Sequence, residues 1–257
     1  MTQSSDLEFA LSLADSADEI SMRHFRSRTL VVDTKPDLTP VSEADHEVEQ
    51  ALRARIAAER DAEAVLGEEG GEEGAGPVRW ILDPIDGTKN FVRGIPVFAT
   101  MIALERDGRL ELGVVSAPAL QRRWWAARGG GAFLNGEQIH VSAVNRVENA
   151  VVGYTSARNF FDLGKGEEFV DLAQRAWTAR GVGDFWQHML VAEGAVDLAV
   201  ELEVNVWDLA AVQVIVEEAG GRLTDIEGIA RPDGGSAVSS NGHMHAEGLR
   251  VFGAPAR

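Results

Sequence analysis

The sequence predicts a mixed α/β fold with an N-terminal half rich in antiparallel strands and a more alternating C-terminal half. Three observations carry this. Leu7, Ala10, Leu11, Ala14 and Ala17 recur at helical spacing, so the chain opens with an amphipathic helix. Apolar runs joined by tight turns follow, with Asp107-Gly108 marking a hairpin. Beyond residue 146, where a hinge is expected, helical and strand patterns alternate.

Val48, Leu52, Arg55 and Ile56 give a second helix beginning near Asp45. Val78–Ile85, apolar and bounded by Pro77 and Pro84, reads as a buried strand. Phe98–Glu105 and Leu110–Ser116 are the arms of the hairpin, and Arg123–Ala127 with Gln138–Val141 a further meander. Ala150–Thr155 is a short strand, Glu167–Ala179 and Gln187–Glu193 are helices, and Val196–Leu202 is another strand. Asp208–Ala219 is a helix stopped by Gly220-Gly221. Short strands near 221–225 and 236–240 precede a last helix. The acidic, glycine-rich stretch Gly67–Gly76 is the one compositionally odd loop. The expected division is residues 1–145, carrying most of the candidate ligands, and residues 146–257.

The 257 residues are 45% hydrophobic, enough for a substantial core. No apolar run approaches the ~20 residues of a membrane span. The first residues lack a basic n-region and an apolar h-region, so no signal peptide and a cytoplasmic location are expected. The absence of cysteine excludes disulfides, thiolate metal sites and cysteine nucleophiles. A net charge of −17 disfavours nucleic acid as a partner, since phosphates are bound by Lys and Arg. It would also repel an anionic substrate unless bound cations invert the local field.

The chemistry concentrates in Trp80-Ile81-Leu82-Asp83-Pro84-Ile85-Asp86-Gly87-Thr88-Lys89-Asn90-Phe91. Two carboxylates end an apolar run, and Gly-Thr follows at once. Catalytic Mg²⁺ is held by a few carboxylates plus substrate phosphate, and a Gly-Thr turn offers N–H groups and a hydroxyl beside it. The pattern reads as metal-assisted attack on a phosphate ester. Alone, the two acids would more readily read as solvated carboxylates at a strand-ending turn.

This stretch resembles the D-P-I-D-G-T-x-N-F signature of the inositol monophosphatase-like family of metal-dependent phosphatases. Leu66-Gly67-Glu68-Glu69 is similar to its G-E-E element and Val41-Ser42-Glu43-Ala44-Asp45 to its T-x-A-D element. Val206-Trp207-Asp208-Leu209-Ala210-Ala211 through Glu217-Glu218-Ala219-Gly220-Gly221 is similar to its W-D-x-A-A…E-A-G-G element. The elements occur in order and span essentially the whole chain. Asn90–Thr100 and Gly183-Asp184-Phe185-Trp186-Gln187 further resemble the histidinol-phosphate phosphatase branch, its actinobacterial members in particular.

The resemblance implies a five-layer αβαβα sandwich with the active site between the halves, two or three Mg²⁺ ions (Mn²⁺ a substitute), and a homodimer. It assigns Glu68, Asp83, Asp86, Asp208 and the Ile85 carbonyl as metal ligands, with Glu69 a further candidate. It pairs Asp45 with Thr88 to orient an attacking water, and places Gly87 and Thr88 against phosphate. Glu201 matches a position that contacts substrate hydroxyls, and Lys35 a lysine near the site. Asp184, Phe185, Trp186 and Glu201 would form an acidic, partly aromatic wall suited to a cationic substrate. Arg93 would contact substrate across a subunit boundary or be a buried structural charge. Each assignment has a plain competitor. Asp208 is placed as a helix cap and Ser42-x-x-Asp45 as a capping box; Glu68 and Glu69 sit in a loop that could be merely solvated. The pair His243 and His245 is assigned no role.

The expected activity is hydrolysis of a small phosphomonoester, L-histidinol phosphate by the branch resemblance. Inositol monophosphate or a related sugar phosphate is the alternative substrate, and a catalytically silent metal-binding homologue the alternative class. A haloacid-dehalogenase-type mechanism needs acids two apart, whereas Asp83 and Asp86 are three apart.

Overall fold

The computed structural model describes residues 2–34 and 40–253, so Lys35 lies outside the described residues. In chain order, α1 (Thr2–His24), β1 (Val32–Thr34), β2 (Pro40–Ser42) and α2 (Glu43–Glu59) lead into β3 (Ala64–Gly67), β4 (Gly71–Glu73) and β5 (Val78–Asp86). There follow α3 (Thr88–Val92), β6 (Ala99–Arg106), β7 (Arg109–Ala117), β8 (Arg122–Ala127), β9 (Ala132–Leu134) and β10 (Glu137–Ile139). The remainder is β11 (Val151–Tyr154), α4 (Ala157–Asp162), α5 (Gly166–Arg175), β12 (Thr178–Gly181), α6 (Asp184–Ala192), β13 (Leu198–Glu201), α7 (Val206–Glu218), β14 (Arg222–Thr224), β15 (Ala237–Ser240) and α8 (His245–Phe252).

Eight strands form one sheet in the order β10-β9-β8-β7-β6-β5-β3-β4, and five form another in the order β12-β11-β13-β15-β14. Helices α1 and α2 cover the outer face of the larger sheet. There Phe9, Leu13, Val48, Leu52 and Ile56 pack on Trp80, Leu82 and Ile102, with the Phe9 and Trp80 rings 5.4 Å apart, edge to face. Between the sheets lie α6 and α7. Every residue of α7 from Leu209 to Val216 is buried, the pattern of a helix with apolar neighbours all round. Beyond the smaller sheet, α4, α5 and α8 contribute Phe160, Phe169, Leu172 and Phe252 to an outer core. The succession is five layers, αβαβα.

Two sequence expectations shift. The helix expected over 167–179 stops at Arg175, and Thr178–Gly181 pairs in parallel with β11. The glycine-rich stretch is not all loop, since Gly71–Glu73 folds back on Val65–Gly67. The strand ending at Asp86 runs straight through Pro84. Its register with β6 is irregular between Asp83 and Asp86, where Asp83 faces Met101 and Asp86 faces Ala99. Proline has no N–H for the ladder, so a bulge forms there, and the Pro84 carbonyl accepts the Thr100 hydroxyl at 2.8 Å.

Candidate metal and phosphate site

On a regular strand, residues three apart point to opposite faces. The bulge at Pro84 cancels that parity and lets Asp83 and Asp86 converge. Asp208 arrives from the first turn of α7, and ligand oxygens of the three carboxylates lie within 4.8 Å of one another. Asp208 is also the cap expected from sequence: its Oδ2 accepts the Asn205 N–H at 2.6 Å. One oxygen fixes the helix start and leaves the other for the cluster. The N-terminus of α2 repeats the device. Asp45 Oδ2 accepts the Ser42 N–H at 2.8 Å and its hydroxyl at 2.6 Å, while Oδ1 receives the Thr88 hydroxyl at 3.3 Å. Thr88 lies nearer the Ile85 carbonyl, at 3.0 Å. The Ile85 side chain is buried among Ala44, Phe91 and Phe98.

These carboxylates sit badly without a cation. Burial, then Glu68 and Asp86, hold Asp83 well above the usual carboxylate range. Burial, then Asp184 and Asp208, do the same to Asp86. Asp208 is pushed up to about 7, chiefly by burial and then by Glu201 and Glu68. Burial also raises Asp45, against the Ser42 hydrogen bonds. Asp83 Oδ1 is buried with no hydrogen-bond partner among the described residues. A buried, oxygen-only donor set with an orphaned carboxylate oxygen fits a hard divalent cation.

Asp86, Gly87, Thr88, Glu68 and Asp208 line a cavity of about 250 Å³ that continues past Asp184, His188, Glu201 and Glu203. Gly87 has φ 79°, and a Cβ there would come within 2.9 Å of the Val97 carbonyl oxygen, so the turn requires glycine. Asp184 Oδ2 accepts the Asn90 side-chain amide at 2.9 Å, and the Phe185 N–H at the start of α6 donates to Asp86 Oδ2 at 2.7 Å. Burial and Glu201 push Asp184 up to about 6. Glu201 accepts from the Thr155 hydroxyl and contacts His188 Nε2 at 2.9 Å.

The aromatic part of the expected wall is present only in part, since Phe185 borders the cavity with its ring largely buried. The Phe185 side chain is 1% exposed and packs on Trp124 at 6.0 Å, so its ring is core. Trp186 packs against the central core and is not among the cavity-lining residues. Arg93 is exposed at the end of α3, so within the chain it is not a buried charge, and a contact with substrate across a subunit boundary stays a proposal. The reason is helical geometry: α6 begins at Asp184, so successive side chains fan around its axis rather than share one wall. His188, Thr155, Asn90 and Glu203 were given no role from sequence. Asn90 was legible as part of the quoted motif, whereas the other three carry no local signal.

A family description, the inositol monophosphatase family, matches residues 2–252. A histidinol-phosphatase of Mycobacterium tuberculosis is 52% identical over 95% of this chain and 96% of its own. One of Streptomyces coelicolor is 47% identical over 94% of each. The solved IMPase of Thermotoga maritima superposes with a TM-score of 0.88 at 34% identity, covering 96% of both chains. Fold and site define a carboxylate-centred phosphatase class. Within it, the chain belongs to the inositol monophosphatase family.

Proposed function

We propose that the protein is a Mg²⁺-dependent phosphomonoesterase acting on L-histidinol phosphate, with Mn²⁺ able to substitute. The observation that carries the substrate choice is the charge of the cavity beyond the ligand cluster. Asp184, Glu201 and Glu203 line it, and Lys89 is the one Lys or Arg among the described residues that do. With Glu68, Asp83, Asp86, Asp208 and the Ile85 carbonyl assigned to two or three cations, the leaving-group end keeps a surplus of carboxylates. Such a wall favours a substrate carrying an ammonium and an imidazole over a neutral polyol. The names of the two histidinol-phosphatase relatives support the same choice.

When bound, the cations supply Lewis acidity to the phosphate and acidify a water. The chain's own residues do the rest. Thr88, its hydroxyl proton directed at Ile85 and Asp45, keeps lone pairs free to accept from the attacking water. Ser42 locks Asp45 in place, and the Phe185 amide fixes the Asp86 carboxylate. Gly87 and Thr88 line the phosphate end. Asn90 holds Asp184 at the leaving-group end.

The test is phosphate release with Mg²⁺ from L-histidinol phosphate and inositol 1-phosphate side by side. A kcat/KM preference of about a hundredfold for the former, roughly 2.7 kcal/mol, is expected. Preference for the inositol ester would keep the metal chemistry and reject the cation pocket. In that case Thr155 and Asn159 would be the neutral partners for hydroxyls.

A further inference from the structure

We infer that Glu49, on α2 and outside the proposed reaction, is a positioning residue that fixes the turn presenting Glu68 to the metal site. The inference rests on the assignment of Glu68 as a metal ligand. Glu68 follows β3 directly, and its N–H reaches the Leu82 carbonyl at 3.2 Å, one step past the strand. The chain must then turn sharply, which leaves the next amides without ladder partners. Glu49 takes them: Oε2 accepts the Glu69 N–H at 2.8 Å and Oε1 the Gly70 N–H at 2.7 Å. Arg53, one helical turn on, donates Nε to Glu49 Oε1 at 2.8 Å and Nη2 to the Gly71 carbonyl at 2.6 Å.

The turn is moulded to this carboxylate. A Cβ on Gly67 would lie 2.5 Å from the Glu49 carboxyl group, and one on Gly70 would lie 2.8 Å from its Oε1. Two glycines thus leave only hydrogen atoms between backbone and carboxylate, so the turn has no room to slide. Glu49 is 2% exposed, and a buried charge ringed by two amides and a guanidinium holds geometry because every alternative leaves it unpaired. Asp45 and Glu49 lie one turn apart on the same face of α2. One rigid helix therefore sets both the Asp45–Thr88 contact and the position of Glu68.

The test is Mn²⁺ binding to the full-length chain by electron paramagnetic resonance, which reads the site without turnover. Glu49→Gln keeps the shape but places an amide against amide donors. We expect its dissociation constant to rise at least tenfold. Glu68→Gln should weaken binding as much or more, and the double variant no further than Glu68→Gln, because the two act through one carboxylate. Native affinity in Glu49→Gln beside weak binding in Glu68→Gln overturns the positioning role and spares the metal assignment. So does a double variant whose losses multiply. Native affinity in Glu68→Gln rejects the ligand assignment, and this inference with it. Should Glu49→Gln fail to fold, Arg53→Gln frees one side of the same carboxylate; a threefold or greater loss supports the clamp and native affinity overturns it.

Discussion

Asp83 is 1% exposed, shares its surroundings with four other carboxylates, and has an oxygen without a partner among the described residues. Removing its charge should therefore remove activity without costing stability. Asp83→Asn is expected to lower kcat/KM at least a thousandfold while the metal-free protein melts no lower than the parent. Phosphate release and a thermal melt in chelator check both halves. His245 provides a pH signature away from the site. Its Nδ1 meets the Ser240 hydroxyl and its Nε2 the Thr224 hydroxyl, each at 3.0 Å. Thr224 also donates to the Asp225 carbonyl, so it accepts from Nε2, and the ring is held neutral. Burial, then Arg222, pull its pKa down to about 4 from 6.5. The unfolded chain takes up a proton that the folded chain refuses. The contribution is complete above 6.5 and is lost as pH falls toward 4, by up to ~3 kcal/mol. The melting temperature should therefore fall more steeply from pH 7 to pH 5 in the parent than in His245→Gln; equal slopes would reject this.

At the scale of elements, α7 is the piece that both core and site depend on. It crosses β7 at Gly113, where a Cβ would sit 2.3 Å from the Ala211 carbonyl oxygen and 2.7 Å from its Cα. Backbone meets backbone there, so no side chain can give way. Gly113→Ala should push α7 off the sheet, cost about 1–3 kcal/mol or more, and misplace Asp208 enough to lower kcat. A melt and a kcat measurement at saturating Mg²⁺ check this, and unchanged values for both would show that the helix adjusts freely. The long elements were legible because their periodicity is local: α1, α2 and the β6–β7 hairpin carry clear patterns. Strands of three or four residues, such as β3, β4, β9 and β12, and the one-turn α3 after Gly87 are too short to show a period.

The whole molecule joins its two sheets through a shared apolar layer. Met101, Ala103, Val115 and Trp124 of the larger sheet pack with α6 and α7 from the second part of the chain. The division into residues 1–145 and 146–257 is proposed as one of architecture, not of independent folding. Calorimetry of the metal-free chain should give a single unfolding transition, and a fragment ending at residue 145 should fail to fold; two transitions would make the halves autonomous. The homodimer is likewise a proposal, and sedimentation at micromolar concentration decides it. No described helix is long and apolar enough to cross a membrane.

By itself the sequence determined the chemistry. It supplied the acids at Glu68, Asp83, Asp86 and Asp208, the Gly87-Thr88 turn and the absence of cysteine, and their order places the chain in its family. Spacing and residue type suffice for this because the donor atoms a segment offers are a local property. Only the tertiary structure decided which groups meet. The Pro84 bulge turns two strand residues to one side, and the α7 capping box frees one oxygen of Asp208. The start of α6 keeps Asp184 and Phe185 on the cavity, with the Phe185 ring buried against Trp124, and turns Trp186 away from it. Those outcomes depend on packing between segments far apart in the chain, and no local pattern encodes them.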